Sequence, residues 1–190
     1  MIQKQLKSDF LNLPNQLTIF RILCVPAIII LMIENTPVLD LIAAIIFTVA
    51  SLTDFADGWV ARRIKCESKI GALLDPLADK LLIVSVLIVL LHQDKIDPVI
   101  PVIIIWREFG ILTLRSIAVT QGIIISASSL AKHKTFLQII GLLGIIIGKG
   151  NEFWGINWFA IGYSLILISL FVSVLSGYQY LRNYIKASYK

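Results

Sequence analysis

Apolar residues run along this chain in long unbroken blocks, not in the strict alternation of a half-buried strand. Six blocks stand out: Leu17–Ile33, Leu39–Val60, Leu73–Leu91, Val99–Val119, Phe136–Gly148 and Trp158–Tyr178. A helix rising ~1.5 Å per residue needs roughly 20 residues to cross a ~30 Å hydrocarbon core, so each block predicts a membrane span. The fifth is short, and is expected to tilt or to extend toward Lys132. A transmembrane β-barrel would need period-two alternation, which runs such as Ile100–Ile105 and Leu142–Ile147 lack. The pattern therefore predicts an all-α polytopic membrane protein with six transmembrane helices, forming one membrane domain over residues 14–190. Before it, Ile2, Leu6, Phe10 and Leu13 recur at helical spacing among Lys4, Lys7 and Asp9. Residues 1–13 thus read as a short amphipathic helix on the membrane surface, with a disordered tail as the alternative. No small-residue cleavage site precedes Pro14, so a removable signal peptide is not expected.

Composition agrees. At 57% hydrophobic and 15% charged residues, the chain carries too little polar surface for a soluble domain, where ~25% charged is usual. Two cysteines, Cys24 and Cys66, make no disulfide framework. The net charge of +5 raises a nucleic-acid reading, but the placement of the basic residues answers it. With six spans, both termini and the loops around Lys65 and Lys132 fall on one side and hold nearly all of the loop Lys and Arg. The opposite side holds Lys95 and Lys149. The positive-inside rule makes the rich side cytoplasmic, so the charge encodes orientation and no nucleic-acid partner is expected. Trp154, Trp158, Tyr178 and Tyr180 bracket the last span as interfacial anchors.

Nine charged residues remain inside or at the edges of spans: Arg21, Lys80, Arg107, Arg115, Asp54, Asp57, Asp75, Asp79 and Glu108. Each costs at least ~2.5 kcal/mol in a bilayer unless it is paired or meets water, so a purely structural bundle would not keep them. Asp54 and Asp57 are three apart, and share one face of the second helix. Asp75 and Asp79 are four apart, and share one face of the third. The basic turn Arg62–Lys69 folds these helices antiparallel and lets the two pairs meet near the cytoplasmic side. Four close carboxylates repel one another; Mg²⁺ or Mn²⁺ relieves that conflict while still coordinating phosphate and water. Gly58, Ala61 and Gly71 leave room either for close helix packing or for a flat substrate against the backbone. Pro76 is expected to bend the third helix and open the cluster.

The run Asp54-x-x-Asp57-Gly58-x-x-Ala61-Arg62, eight further residues, then Gly71-x-x-x-Asp75-x-x-x-Asp79 resembles the signature of the CDP-alcohol phosphatidyltransferase family at all eight fixed positions. That resemblance implies a six-helix membrane enzyme, usually a homodimer, in which an alcohol displaces CMP from a CDP-linked lipid. It implies two divalent cations held by Asp54, Asp57, Asp75 and Asp79, with Asp79 also the general base. It sets Gly58, Arg62 and Ser68 beside the CDP moiety, where Ala61 and Gly71 would also border CDP-diacylglycerol. Asn15 and Thr18 are in reach of the cytidine, although helix capping explains Asn15 equally well.

Looser blocks concern the acceptor. Leu13-Pro14-Asn15-x-x-Thr18-x-x-Arg21, Arg107-Glu108-Phe109 with Leu114-Arg115, and Lys132-x-Lys134-Thr135-x-x-Gln138 are similar to the bacterial branch that uses sn-glycerol 3-phosphate. Trp106 and Ala131 depart from that branch's usual small residue and Gly. A phosphate-bearing acceptor brings a dianion toward a carboxylate cluster, so it needs cations; Arg107, Arg115, Lys132 and Lys134 are the candidates, with plain positive-inside residues as the alternative for the two lysines. Glu108, adjacent to Arg107, is expected to face elsewhere on its helix. His92 and His133 read as surface and loop residues, and Gly141-x-x-Gly144-x-x-x-Gly148 as a packing stripe. The expected setting is the cytoplasmic membrane of a bacterium. Rival readings are a relative with another acceptor, such as a CDP-dependent cardiolipin synthase or a phosphatidylinositol-phosphate synthase, and, in a different class, a cation transporter. The transporter would place its acids mid-membrane and often repeat itself, which this chain does not.

Overall fold

The computed structural model describes residues 13–64, 71–123, 129–148 and 155–188. Among them every regular element is helical: α1 (Leu13–Ile33), α2 (Pro37–Ile64), α3 (Gly71–His92), α4 (Val99–Thr120), α5 (Ser129–Gly148) and α6 (Trp158–Ser188). All six apolar blocks are helices, and most overrun their expected ends. The fifth reaches back past Lys132 to Ser129, and the sixth continues past Tyr178 to Ser188. The amphipathic segment over residues 1–13 lies outside the described residues, apart from Leu13, which opens α1.

Local chemistry sets the ends. Pro14 is accepted in the first turn of α1, where its missing N–H has no intrahelical partner to lose. Asn15 consequently sits inside that turn and not at its cap, which corrects the capping alternative. Between α1 and α2, Asn35 takes a left-handed φ of 49°, and Pro37 opens the next helix. Gly122, at φ 72°, closes α4: its N–H reaches the Val119 carbonyl and the Ile123 N–H reaches that of Ala118. Asn157 caps α6, its Oδ1 accepting the Ala160 N–H at 2.9 Å. The helices α1 and α3 run unbroken across Pro26 and Pro76.

The chain divides between Gln93 and Asp94 into two compact units. In the first, α1 packs on α2 and α3, and α2 also touches α3. The inward stripe of α1 is Thr18, Arg21, Cys24, Ile28 and Met32, spaced three or four apart, against Ala43, Ala44, Phe47, Ala78, Leu82, Val86 and Leu90. Small residues on α2 let the helices approach. His92 ends α3 and is exposed, as expected.

In the second unit α6 packs on both α4 and α5. The glycine stripe does pack helices: a Cβ on Gly144 would lie 2.8 Å from Gly162 Cα, and one on Gly148 2.1 Å from the Phe159 nitrogen. The inward face of α6 holds Gly162, Ile166, Ser169, Ser173, Ser176 and Tyr180. Tyr180 is therefore buried, which corrects its reading as an interfacial anchor; Tyr178 is exposed. His133 is exposed but helical, on α5 instead of a loop.

Both units turn apolar side chains outward, among them Phe20, Leu23, Ile30, Ile45, Val102, Phe171 and Val174, while Thr18, Arg21, Glu108, Lys134 and Gln138 are buried. That inversion of the soluble pattern suits lipid as solvent. Among the described residues, α1 and α6 are by themselves long and apolar enough to cross a membrane. Charged residues at 107, 108 and 115 interrupt α4, and the apolar lengths of α2 and α5 shorten to Pro37–Thr53 and His133–Gly148.

The α5–α6 contact yields a direct test. A Cβ on Gly162 would fall 2.6 Å from both the Gly141 oxygen and the Ile145 nitrogen, backbone atoms that cannot yield cheaply. Gly162→Ala should cost about 1–3 kcal/mol of stability. Gly110→Ala on α4 meets nothing within 4 Å and should be neutral or gain up to about 1 kcal/mol from helix propensity. Equal Tm values for the two variants in detergent would contradict this packing.

Candidate active site

Asp54 and Asp57 lie in the last turns of α2, and Asp75 and Asp79 in the first turns of α3. Gly58, Ala61 and Arg62 follow on α2, and Gly71 opens α3. Ser68, in the connection, lies outside the described residues, as do the side chains of Asn15, Asp54, Asp57, Gly58, Ala61, Arg62, Gly71 and Asp75. Asp79 is placed: its Oδ1 accepts a hydrogen bond from Nη1 of Arg21 on α1. Arg21 is 1% exposed and Asp79 31%, so the cation is buried and the carboxylate half-open. Thr18, one turn before Arg21 on the inward stripe, is fully buried. The donor chemistry of the four acids, hard anionic oxygens only, fits Mg²⁺ or Mn²⁺ and suits softer metals poorly. Arg21 went unassigned in the sequence reading, although an arginine mid-way along an apolar run demands a partner.

The second unit holds a separate polar cluster. Arg107 on α4 donates from Nε to the Ser173 carbonyl (3.0 Å), from Nη2 to Ser176 Oγ (2.6 Å) and from Nη1 to Glu108 Oε1 (3.0 Å). Lys134 on α5 donates to the same Glu108 oxygen, and both side chains are buried. Glu108 thus joins both cations, which corrects the expectation that it faces elsewhere. Neighbouring helical residues point apart at Cβ, but a long guanidinium can curl back along its own turn. Three of Arg107's five N–H groups are used, leaving one on each terminal nitrogen. The trio carries a formal charge of +1 in a site lined by α4, α5 and α6.

Arg115 is not part of this knot: exposed, its guanidinium carbon lies 5.9 Å from the centre of the Tyr180 ring. Lys132 is on α5, one short step before Lys134, with its side chain outside the described residues. Trp106 is 80% exposed. The serines of α6 were missed by the sequence reading. Their signal was present as Ser169, Ser173 and Ser176, recurring every three or four residues in a span and marking one polar stripe.

Residues 11–175 match the family model described as CDP-alcohol phosphatidyltransferase. The chain is similar to proteins named CDP-diacylglycerol–glycerol-3-phosphate 3-phosphatidyltransferase in several bacteria. One from Rickettsia typhi is 40% identical over 172 residues, covering 90% of this chain and 96% of its own length. One from Rickettsia bellii is 37% identical, covering 90% and 94%. One from Bacillus subtilis is 34% identical over 181 residues, covering 89% and 93%. With the Asp54–Asp79 signature intact and the match running over most of the sequence, the chain belongs to the CDP-alcohol phosphatidyltransferase family.

Proposed function

We propose that this protein transfers the phosphatidyl group of CDP-diacylglycerol to sn-glycerol 3-phosphate, giving phosphatidylglycerophosphate and CMP. The observation that carries this reading is the likeness, along nine-tenths of the chain, to relatives named for that reaction. The buried Arg107–Glu108–Lys134 cluster supports it, because a phosphate-bearing acceptor needs cations that a neutral alcohol does not. The protein would lie in a bacterial cytoplasmic membrane as six spans, with both termini and the site facing the cytoplasm, and would work as a homodimer. The one-sided loop charge supports that orientation.

In this reaction the acceptor hydroxyl oxygen bonds to the phosphatidyl phosphorus, and the bond from that phosphorus to the oxygen of CMP breaks. Asp54, Asp57, Asp75 and Asp79 would hold two divalent cations, whose charge would offset that of the pyrophosphate and of the departing CMP. Asp79, oriented by Arg21, takes the hydroxyl proton. Asn15, Thr18, Gly58, Ala61, Arg62, Ser68 and Gly71 border CDP-diacylglycerol. Arg107 and Lys134 would hold the acceptor phosphate, with Lys132 and the exposed Arg115 adding positive charge toward it.

Purified protein with CDP-diacylglycerol and Mg²⁺, offered glycerol 3-phosphate, inositol phosphate, serine and phosphatidylglycerol in turn, tests the assignment by product mass. Phosphatidylglycerophosphate is expected; product from another acceptor and none from glycerol 3-phosphate would falsify it. Arg107→Ala should raise the KM for glycerol 3-phosphate about 10- to 100-fold, the worth of a charge-assisted bond, with CDP-diacylglycerol binding little changed. A fall in kcat with both KM values constant would remove Arg107 from the acceptor site.

A further inference from the structure

Gln138 closes the Lys132–Gln138 block but has been given no role of its own. It is 1% exposed, and neither its amide oxygen nor its amide nitrogen has a hydrogen-bond partner. An amide buried in this way costs free energy unless something supplies a donor and an acceptor together. It stands four residues after Lys134 on α5, hence on the same face and about 6 Å along the axis. The glycine contacts fix the antiparallel register of α5 against α6: Gly144 meets Gly162 and Gly141 meets Ile166. Continued one and two turns toward the start of α5, that register sets Gln138 level with Ser169 and Lys134 level with Ser173. The hydroxyl of Ser169 is committed to the Ile166 carbonyl, whereas Ser173 Oγ is buried without a partner. Unsatisfied polar atoms therefore lie beside the cations, at Ser173 Oγ, and one turn beyond them, at the Gln138 amide, on the side away from Arg115.

We infer that Gln138 is a specificity-determining residue for the acceptor, reading the hydroxyl that lies between the phosphate and the attacking hydroxyl. This rests on the acceptor reading above, in which Arg107 and Lys134 take the phosphate. A secondary alcohol is donor and acceptor at once and matches both halves of an amide, while Ser173 Oγ completes the polar wall. A pocket built to bond a hydroxyl rejects the analogue lacking it, because its own buried groups then stay unpaired.

The test crosses two enzymes with two acceptors. Propane-1,3-diol monophosphate keeps the phosphate and the terminal hydroxyl of glycerol 3-phosphate but lacks the central one. Wild-type protein should prefer glycerol 3-phosphate in kcat/KM by about 10- to 100-fold. Gln138→Leu should lower kcat/KM for glycerol 3-phosphate by about that factor and leave the deoxy analogue almost unchanged, so that the preference disappears. Its Tm should equal or exceed wild type, since an orphaned buried amide has been replaced by an apolar group of similar size. Gln138→Met supplies a second isostere should Gln138→Leu not fold. Equal losses with both acceptors, as expected of a side chain that only anchors a structural water, would overturn the inference while leaving the proposed reaction standing. Absence of any product from glycerol 3-phosphate with wild-type protein overturns both.

Discussion

Removing divalent cations, or replacing Asp57 with Asn, is expected to cut CMP release by about a thousandfold or more, the equivalent of several kcal/mol of lost transition-state stabilisation. The expectation follows from charge. The ends of α2 and α3 bring four carboxylates into one unit, and the substrate adds a pyrophosphate of the same sign. Arg21 reaches Asp79 and brings one positive charge toward them. Asn keeps the shape of Asp57 but removes its charge, so the variant should also need more Mg²⁺ or Mn²⁺ to reach half of its residual rate. Titration calorimetry with the metal alone gives a readout independent of turnover: Asp57→Asn should bind it more weakly than wild type. Full activity in excess chelator would exclude a metal requirement.

What could be read from the sequence, and what could not, divides along a physical line. The six helices were legible because each is an apolar run too long and too uniform to be anything else. Their ends shifted where polar residues continue a helix beyond its apolar stretch, as between Tyr178 and Ser188 on α6. The carboxylate motif was legible because its spacing is local. Pairings between helices were not. Arg21 and Asp79 are 58 residues apart, and Arg107 and Ser173 66, so only packing brings them together. Glu108 was misread for another reason: helical geometry governs Cβ directions, but Arg107 is long enough to curl back to its neighbour. The serines of α6 hide because small residues in a span read first as packing.

Asp79→Asn should remove about 10²- to 10⁴-fold of turnover, the usual worth of a positioned base, while metal-dependent binding of CDP-diacylglycerol survives. The Arg21 contact complicates that experiment, and also supplies its control. Arg21 is almost wholly buried, so deleting the Asp79 charge strips a desolvated guanidinium of a counter-ion; breaking such a pair from one side commonly costs about 3–5 kcal/mol. Asp79→Asn should therefore melt lower as well as turn over slowly, and a lost rate could merely report a damaged fold. Arg21→Met fails differently: it leaves Asp79, 31% exposed, with partial access to solvent, so its stability cost should be smaller. The double variant Arg21→Met, Asp79→Asn has neither the buried cation nor its anion. Replacing both members of a buried pair with groups of similar volume is often neutral, so the double variant should recover most of the Tm lost by Asp79→Asn. Its turnover should stay as low as that of Asp79→Asn, because the carboxylate assigned to accept the hydroxyl proton is still missing. The measurement is Tm beside the rate of CMP release with both substrates saturating. If turnover returned together with stability, Asp79 would be a counter-ion for Arg21, and another group would have to take the proton.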